Sequence, residues 1–531
     1  MSAPTTSLSG RTPSPDARLT RRTAFLVLFG ALAALALGYL HRYPNPVDWD
    51  GMERFNSAII LHDVLRDALA GKFATLHDIV DRLLFYKDTV RSGAGLAIWP
   101  PLQTALLTGF VTMCGTGYAT VFLFSFAMLA ALAWTTVSVL HRMERLTPYS
   151  LLLMGAFFSN PIFLHHIFTL NLRYGEILAL ALCADIVARH AQAPRRAHLY
   201  AYAAVSVLAV FYRLTAVVVV APAFFALFAT TPRKRDWLGP LACIGTGIAA
   251  FFGLHLAEQR LIGMSFLARM GESGNGSANT PGFYTFYDFS TYYKGLASDA
   301  LHTLCRNRYD LGTPQKCVYA ASAFLCSGLV LFLPRTLQRM NRALFWSLTG
   351  AVGLSLALFS LHGSKPDYLL PMLFGGFLLV AGLTARPWRI LAAAALCALF
   401  AWNLHATFTR SIHPYYEDIN MTLFAEQKEA LAGVATMHVA YTPMKHVSHW
   451  ALTHPPLAVK EFYTPGEVRD VLRAMGPADL VILNNGLDYR REGLNVASLG
   501  ILPLGPGYAA FPIRSEGSDY LLVRRAPPGR E

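Results

Sequence analysis

The stretch Val47-Asp48-Trp49-Asp50-Gly51-Met52-Glu53-Arg54-Phe55 follows the first long apolar run of the chain and decides how the rest is read. Two carboxylates stand one residue apart where the chain leaves an apolar run. Ionisable groups at a membrane boundary are costly, so they point to function before they point to packing. A structural use competes with that reading, because Asp is a preferred cap for a helix starting near Met52. The segment opened by these aspartates, 42–117, closes at Trp99-Pro100-Pro101-Leu102.

Working outward, the composition sets the class. Of 531 residues, 54% are hydrophobic and 15% charged, against about 25% charged in a soluble domain. Mean hydropathy is +0.38. The apolar residues fall in runs of roughly 17–23, enough to cross about 30 Å of hydrocarbon as helices. The net charge of +13 comes from short basic clusters between these runs. That is the pattern of the positive-inside rule, and no nucleic-acid-binding motif accompanies it.

Residues 1–22 are rich in Ser, Pro and Thr, with Arg11, Arg18, Arg21 and Arg22, and read as a disordered cytoplasmic tail. The run after it ends in His41-Arg42-Tyr43-Pro44 without a small-residue cleavage site, which describes a retained span. The parity of everything downstream hangs on 101–115. If this short run does not cross, the clusters at Arg142, Arg145, Arg195, Arg196, Arg233–Arg235, Arg335, Arg339, Arg342 and Arg386 all fall inside. The spans are then eleven: 23–41, 118–140, 148–166, 176–190, 199–212, 213–230, 237–256, 316–334, 343–361, 367–384 and 388–407. Residues 52–70 and 75–90 carry apolar residues at three- and four-residue spacings and read as amphipathic juxtamembrane helices.

Beyond 407 the chain becomes polar, with the apolar pieces Leu480–Leu483 and Tyr520–Val523 and a helical pattern from Pro465 to about Arg473. The expected fold is an all-α polytopic membrane protein (23–407) with juxtamembrane helices and a small C-terminal extracytoplasmic α/β domain (408–531). Cys305 and Cys317 close the outer loop 257–315, and an oxidising compartment would allow them to pair.

The same topology gathers further groups on the side of Asp48 and Asp50. Glu176, in Asn171-Leu172-Arg173-Tyr174-Gly175-Glu176, is expected to form a second corner of the site with His165 or His166, with Arg173 beside it. A Glu favoured by a helix N-terminus is the plainer reading. Arg213, Lys365, Arg306 and Arg308 could hold a phosphate, although snorkelling toward lipid headgroups explains any one of them. The aromatic segment Phe283–Asp288 with Tyr292 and Tyr293 suits either sugar stacking or an interfacial belt.

With these residues in place, the chain resembles the GT-C class of membrane glycosyltransferases that use polyprenyl-phosphate-linked sugars. Within it, the branch of protein O-mannosyltransferases, aminoarabinose transferases and Rgt-type transferases is most similar. The resemblance rests on Asp48-Trp49-Asp50, on Trp99-Pro100-Pro101-Leu102, and on Ser159-Asn160-Pro161-Ile162-Phe163 with Asp367-Tyr368-Leu369-Leu370-Pro371. It covers most of 20–385 in organisation. It departs from the family in Asp-x-Asp where many relatives have Asp-Glu, in Asp367 where Arg commonly precedes Tyr368, and in Glu176 where Asp is frequent.

The resemblance implies inverting transfer from a polyprenyl-phosphate sugar to a hydroxyl of a glycan, lipid or protein acceptor, outside a bacterial inner membrane. Asp50 would be the base, and Asp48 would orient it or a metal. Glu176, Arg173, His166, Arg213, Lys365, Arg306 and Tyr368 would bind substrate. No cofactor is required, and a divalent cation (Mg or Mn) between Asp48 and Asp50 stays open. The rival function is a transporter or flippase of a lipid-linked or anionic substrate. The chain shows neither internal repeats nor ionisable residues at mid-span, where transporter sites lie.

Overall fold

The structure is a computed structural model. It describes residues 19–42, 49–90, 101–170, 173–263, 340–361, 370–409, 421–440, 444–454, 457–462, 465–484, 507–515 and 518–525. The first part is helical. The helices are α1 (Arg21–Arg42), α2 (Trp49–Leu69), α3 (Leu76–Val90), α4 (Pro101–Cys114), α5 (Tyr118–Arg142), α6 (Pro148–Phe158), α7 (Pro161–Phe168) and α8 (Arg173–Gln192). They continue with α9 (Arg196–Tyr212), α10 (Val217–Thr230), α11 (Leu238–Ile262), α12 (Arg342–Leu361), α13 (Leu370–Ala381) and α14 (Arg386–Thr409).

Three stretches among the described residues are long and apolar enough to cross a membrane: Arg21–His41, Tyr118–Arg142 and Lys234–Ile262. Shorter apolar helices cover Pro101–Cys114, Pro148–Phe158, Leu214–Thr230 and Leu370–Ala381. One expected span is corrected: 148–166 is two helices. Thr147 caps α6 by accepting from Ser150 N, with Pro148 in the first turn. The helix then stops at Ser159-Asn160, because Pro161 has no N–H to continue the ladder and disfavours helical backbone at the residue before it. Pro161 instead starts α7, where its missing donor costs nothing. The break is held by rings: Phe157 lies 5.4 Å from Phe163 and 5.4 Å from Phe374 on α13, centroid to centroid.

Helix α8 is the central pillar, buried over most of its circumference. A helix enclosed in this way is apolar all round except where polar groups find partners, and the polar partners of α8 sit at its two ends. Toward its C-terminal end, Asp185 accepts from Ser138 Oγ (2.8 Å) and pairs with Arg189 (2.5 Å). Arg21, at the start of α1, donates to the same Ser138 hydroxyl (3.4 Å) and covers Trp134 of α5. The start of α1 therefore meets the end of α5. At the opposite end of α1, Tyr39 stacks on Phe168 at the close of α7, while Ser125, early in α5, donates to Ile167 O (2.8 Å).

Helix α1 ends, and α5 begins, at the same end of the bundle. The intervening α2, α3 and α4 make no net crossing. Only 14 residues long, α4 is too short to cross on its own.

The expected amphipathic character of 52–70 is corrected too. Residues 51–60 are buried on every side, and only the second half of α2 reaches the surface, where Leu65 and Leu69 are exposed. The reason is coverage. Met52, Phe55 and Ile59 share a core with Leu107 and Val111 of α4, Val121 and Phe124 of α5, and Leu170.

Part of that cover comes from the C-terminal region. Strands β1 (Thr436–Ala440), β2 (Ala458–Phe462), β3 (Asp479–Asn484), β4 (Tyr508–Ser515) and β5 (Ser518–Arg525) form one sheet in the order β2-β1-β3-β5-β4. β1, β2 and β3 are parallel, and β5 pairs antiparallel with β3 and β4. The crossovers run through helices α15 (Met444–Thr453) and α16 (Pro465–Ala474). His449 on α15 stacks on Phe55 of α2 (5.3 Å) and meets Tyr118 of α5 (5.1 Å).

Candidate active site

The first turns of α2 and α4, the α7–α8 junction and the α9–α10 junction meet at one end of the bundle. Helix α2 begins at Trp49, three residues earlier than the capping alternative assumed. Asp50 thus lies inside the first turn rather than at a cap, and Asp48 immediately precedes the helix. Asp48 itself and the side chain of Asp50 lie outside the described residues. One turn further on, Glu53, Arg54, Asn56 and Ser57 are all buried. Four polar side chains enclosed on one short segment are far from what packing alone would select.

Arg54 Nη1 donates to the carbonyl of Leu170 (2.7 Å), and Gln103 Nε2 on α4 donates to the same oxygen (2.8 Å). Leu170 has φ of 54°, in the left-handed region. That conformation is rare for a branched side chain and turns the chain sharply between α7 and α8.

Three residues later the junction opens into α8 with Arg173-Tyr174-Gly175-Glu176. Arg173 Nη1 donates to Glu176 Oε2 at 2.7 Å, with both side chains at most 1% exposed. The other oxygen, Oε1, faces Arg213 Nε (3.2 Å) and accepts from the Thr215 hydroxyl. Arg213 Nε also donates to Thr215 Oγ1 (2.8 Å). Arg213 can reach inward because it is extended (φ −165°, ψ 127°) between α9 and the 3-10 turn Leu214–Ala216. Its side chain is only 17% exposed, a position turned into the protein rather than out to headgroups.

Gly175 makes this packing possible. A Cβ there would lie 2.0 Å from Cδ1 of Tyr212, so the ring at the end of α9 rests on the bare backbone of α8. Leu170, whose carbonyl Arg54 holds, stands three residues before Arg173 in the chain, which sets the Arg54 and Glu176 clusters side by side.

The sequence reading named Arg173, Glu176 and Arg213, and the fold brings these three together. Among the described residues Glu176 is partnered by Arg173, Arg213 and Thr215, and the side chain of His165 lies outside the described residues. The carboxylate is saturated by donors from α8 and the α9–α10 junction. His166 is buried on α7 with Nδ1 3.4 Å from Thr169 Oγ1. Lys365, Tyr368, Arg306, Arg308 and the aromatic segment 283–293 lie outside the described residues, as do Cys305 and Cys317. Sequence reasoning missed Arg54, Gln103 and Thr215. Arg54, one helical turn after Asp50, and Gln103, directly after Trp99-Pro100-Pro101-Leu102, carried a positional signal; Thr215 carried none.

No group of three or more His, Cys, Asp or Glu that could hold a metal ion occurs among the described residues. Both oxygens of Glu176 are already engaged. Three guanidinium groups gathered around one carboxylate and one carbonyl make a site suited to an anion, and Arg is the side chain best matched to phosphate.

A mostly helical bundle with three stretches long and apolar enough to cross a membrane marks an integral membrane protein. In fold it is similar to ArnT from Cupriavidus metallidurans, whose crystal structure with undecaprenyl phosphate bound superposes with a TM-score of 0.51 at 13% identity. The match covers 94% of this chain and 98% of that one. The apo-state crystal structure of the same ArnT gives a TM-score of 0.48 at 12% identity, over 95% and 98%. No protein-family model matches the chain, and no curated protein does.

Proposed function

We propose that this protein is a GT-C-type glycosyltransferase that moves a sugar from a polyprenyl-phosphate donor to an acceptor hydroxyl. The observation that carries the reading is the buried Arg173–Glu176–Arg213 cluster, set beside Arg54 on the helix whose first turn holds Asp50. Its support from fold is the likeness to ArnT, a protein crystallised with undecaprenyl phosphate.

In this reading the acceptor hydroxyl gives its proton to the Asp50 carboxylate and its oxygen attacks the anomeric carbon. The bond from that carbon to the phosphate oxygen breaks, and the lipid phosphate leaves with the electron pair, so the configuration inverts. Arg213 meets the phosphate and stabilises the charge developing on it, as preorganised donors do in a water-poor site. Glu176 fixes Arg213 through Nε and Thr215, and Arg173 balances Glu176. Asp48 orients Asp50, or the two carboxylates would hold a divalent cation that adds electrophilic stabilisation of the leaving phosphate. Lys365, Arg306, Tyr368 and His166 complete donor binding. The reaction takes place on the extracytoplasmic face, with the N-terminus inside and residues 408–531 outside.

The test is transfer in liposomes by the purified full chain, using radiolabelled polyprenyl-phosphate sugars and native membranes as acceptor, with and without chelator. Label should pass to acceptor from one donor, Asp50→Asn should abolish transfer in a folded protein, and Arg213→Gln should raise KM for the donor. Movement of the lipid-linked sugar across the bilayer without transfer would replace this reading with a flippase.

A further inference from the structure

We infer that Oε1 of Gln103 is the acceptor for one hydroxyl of the transferred sugar, making Gln103 a specificity-determining residue; this rests on the transferase reading above. The amide of Gln103 is oriented by its surroundings. Nε2 donates to Leu170 O at 2.8 Å, and a carbonyl oxygen can only accept, so the amide nitrogen must face it and Oε1 must face away. The residue is 1% exposed, yet Oε1 has no hydrogen-bond partner among the described residues. Buried side-chain oxygens are nearly always satisfied, and an exception in a native structure calls for a ligand, a water or a functional reason.

The chemistry of the neighbours narrows the ligand. Leu170 O already accepts from Arg54 and Gln103. Both oxygens of Glu176 are engaged by Arg173, Arg213 and Thr215. Arginine offers donors only, so the guanidinium groups answer to the phosphate. A phosphodiester ionised at neutral pH has no proton to donate and cannot satisfy Oε1. The part of a sugar donor that can is a ring hydroxyl. The arginine donors thus suit the leaving group, and the Gln103 oxygen suits a hydroxyl of the sugar.

The discriminating experiment crosses the enzyme variant with the substrate. The full chain in liposomes is given the active donor and its set of monodeoxy analogues, and kcat/KM is measured for wild type and Gln103→Met. One deoxy analogue should lose about tenfold or more in wild type, the loss expected when a buried acceptor is left unpaired. In Gln103→Met the native and that deoxy donor should react equally, because the partner is already gone. If Gln103→Met discriminates against every deoxy donor as wild type does, Gln103 does not read the sugar and the inference is overturned, while the transferase reading stands. If wild type transfers from no donor at all, both fall. Should Gln103→Met fail to fold, Gln103→Asn withdraws the oxygen by one methylene and is judged by the same comparison.

Discussion

Removing the Glu176 carboxylate exposes the electrostatic logic of the site. Arg173 and Glu176 are each at most 1% exposed and meet at 2.7 Å. At a charge separation of about 4 Å and an effective dielectric of about 20, their attraction is about 4 kcal/mol. Desolvation of the two ions takes back several kcal/mol of that, so the intact pair contributes little net stability. Breaking it is another matter. Glu176→Leu takes from the buried Arg173 guanidinium the carboxylate it meets at 2.7 Å, and the expected loss is about 3–5 kcal/mol. Arg173→Met should cost a similar amount by stranding the carboxylate, eased by Arg213, which still faces Oε1 at 3.2 Å. The double variant removes both charges and should be more stable than Glu176→Leu by about 2 kcal/mol or more, a coupling typical of contacting residues. Unfolding in mixed micelles, titrated with SDS and followed by tryptophan fluorescence, measures all four corners of this cycle. Strictly additive losses would mean that the two side chains do not interact, and the account of the cluster would be wrong.

Two further predictions concern packing and protonation. Gly175→Ala places a methyl 2.0 Å from the Tyr212 ring; it should destabilise the chain by about 1–3 kcal/mol, and Tyr212→Ala in the same background should recover part of the loss. In the sheet, burial holds the His438 imidazole below its ordinary range, with Lys460 adding to the effect and Asp479, 3.8 Å away, opposing it. A base depressed in the folded state binds fewer protons there than in the unfolded chain, so stability falls as pH drops below about 6.5. Hydrogen exchange of residues 436–440 in the full chain, corrected for the intrinsic rate, should quicken between about pH 6.5 and 5. His438→Gln should remove that pH dependence, and an unchanged profile in the variant would exclude His438 as its source.

Much of the architecture was open to inspection in the residues. A membrane helix must satisfy its own backbone and be apolar over its length, so composition and run length place helices almost directly. The basic clusters and the shortness of 101–115 predicted a segment between α1 and α5 that does not cross, and the contacts of Arg21 with Ser138 and of Tyr39 with Phe168 set those two helices antiparallel. Charge beside an apolar run is expensive, which marks 48–55 in the sequence, and the fold buries Glu53 and Arg54 there. Arg173, Glu176 and Arg213 were visible as ionisable residues at helix ends.

What no reading of the sequence decided is who meets whom. An apolar run records that a helix is enclosed, not which neighbour encloses it, so the burial of 51–60 beneath α4, α5 and α15 emerged only with the fold. Pro161 was visible, but whether it kinks a span or divides it depends on what α13 offers in return. The carbonyl of Leu170 became a node because Arg54 and Gln103, 116 and 67 residues away, converge on it. Glu176 meets two arginines because Gly175 lets Tyr212 close against α8 and brings Arg213 within reach. Hydrophobicity and helix propensity are properties of a residue and its near neighbours, and the sequence carries them openly. Pairing of buried charges depends on the distance between chain segments far apart in sequence, which only the folded bundle sets.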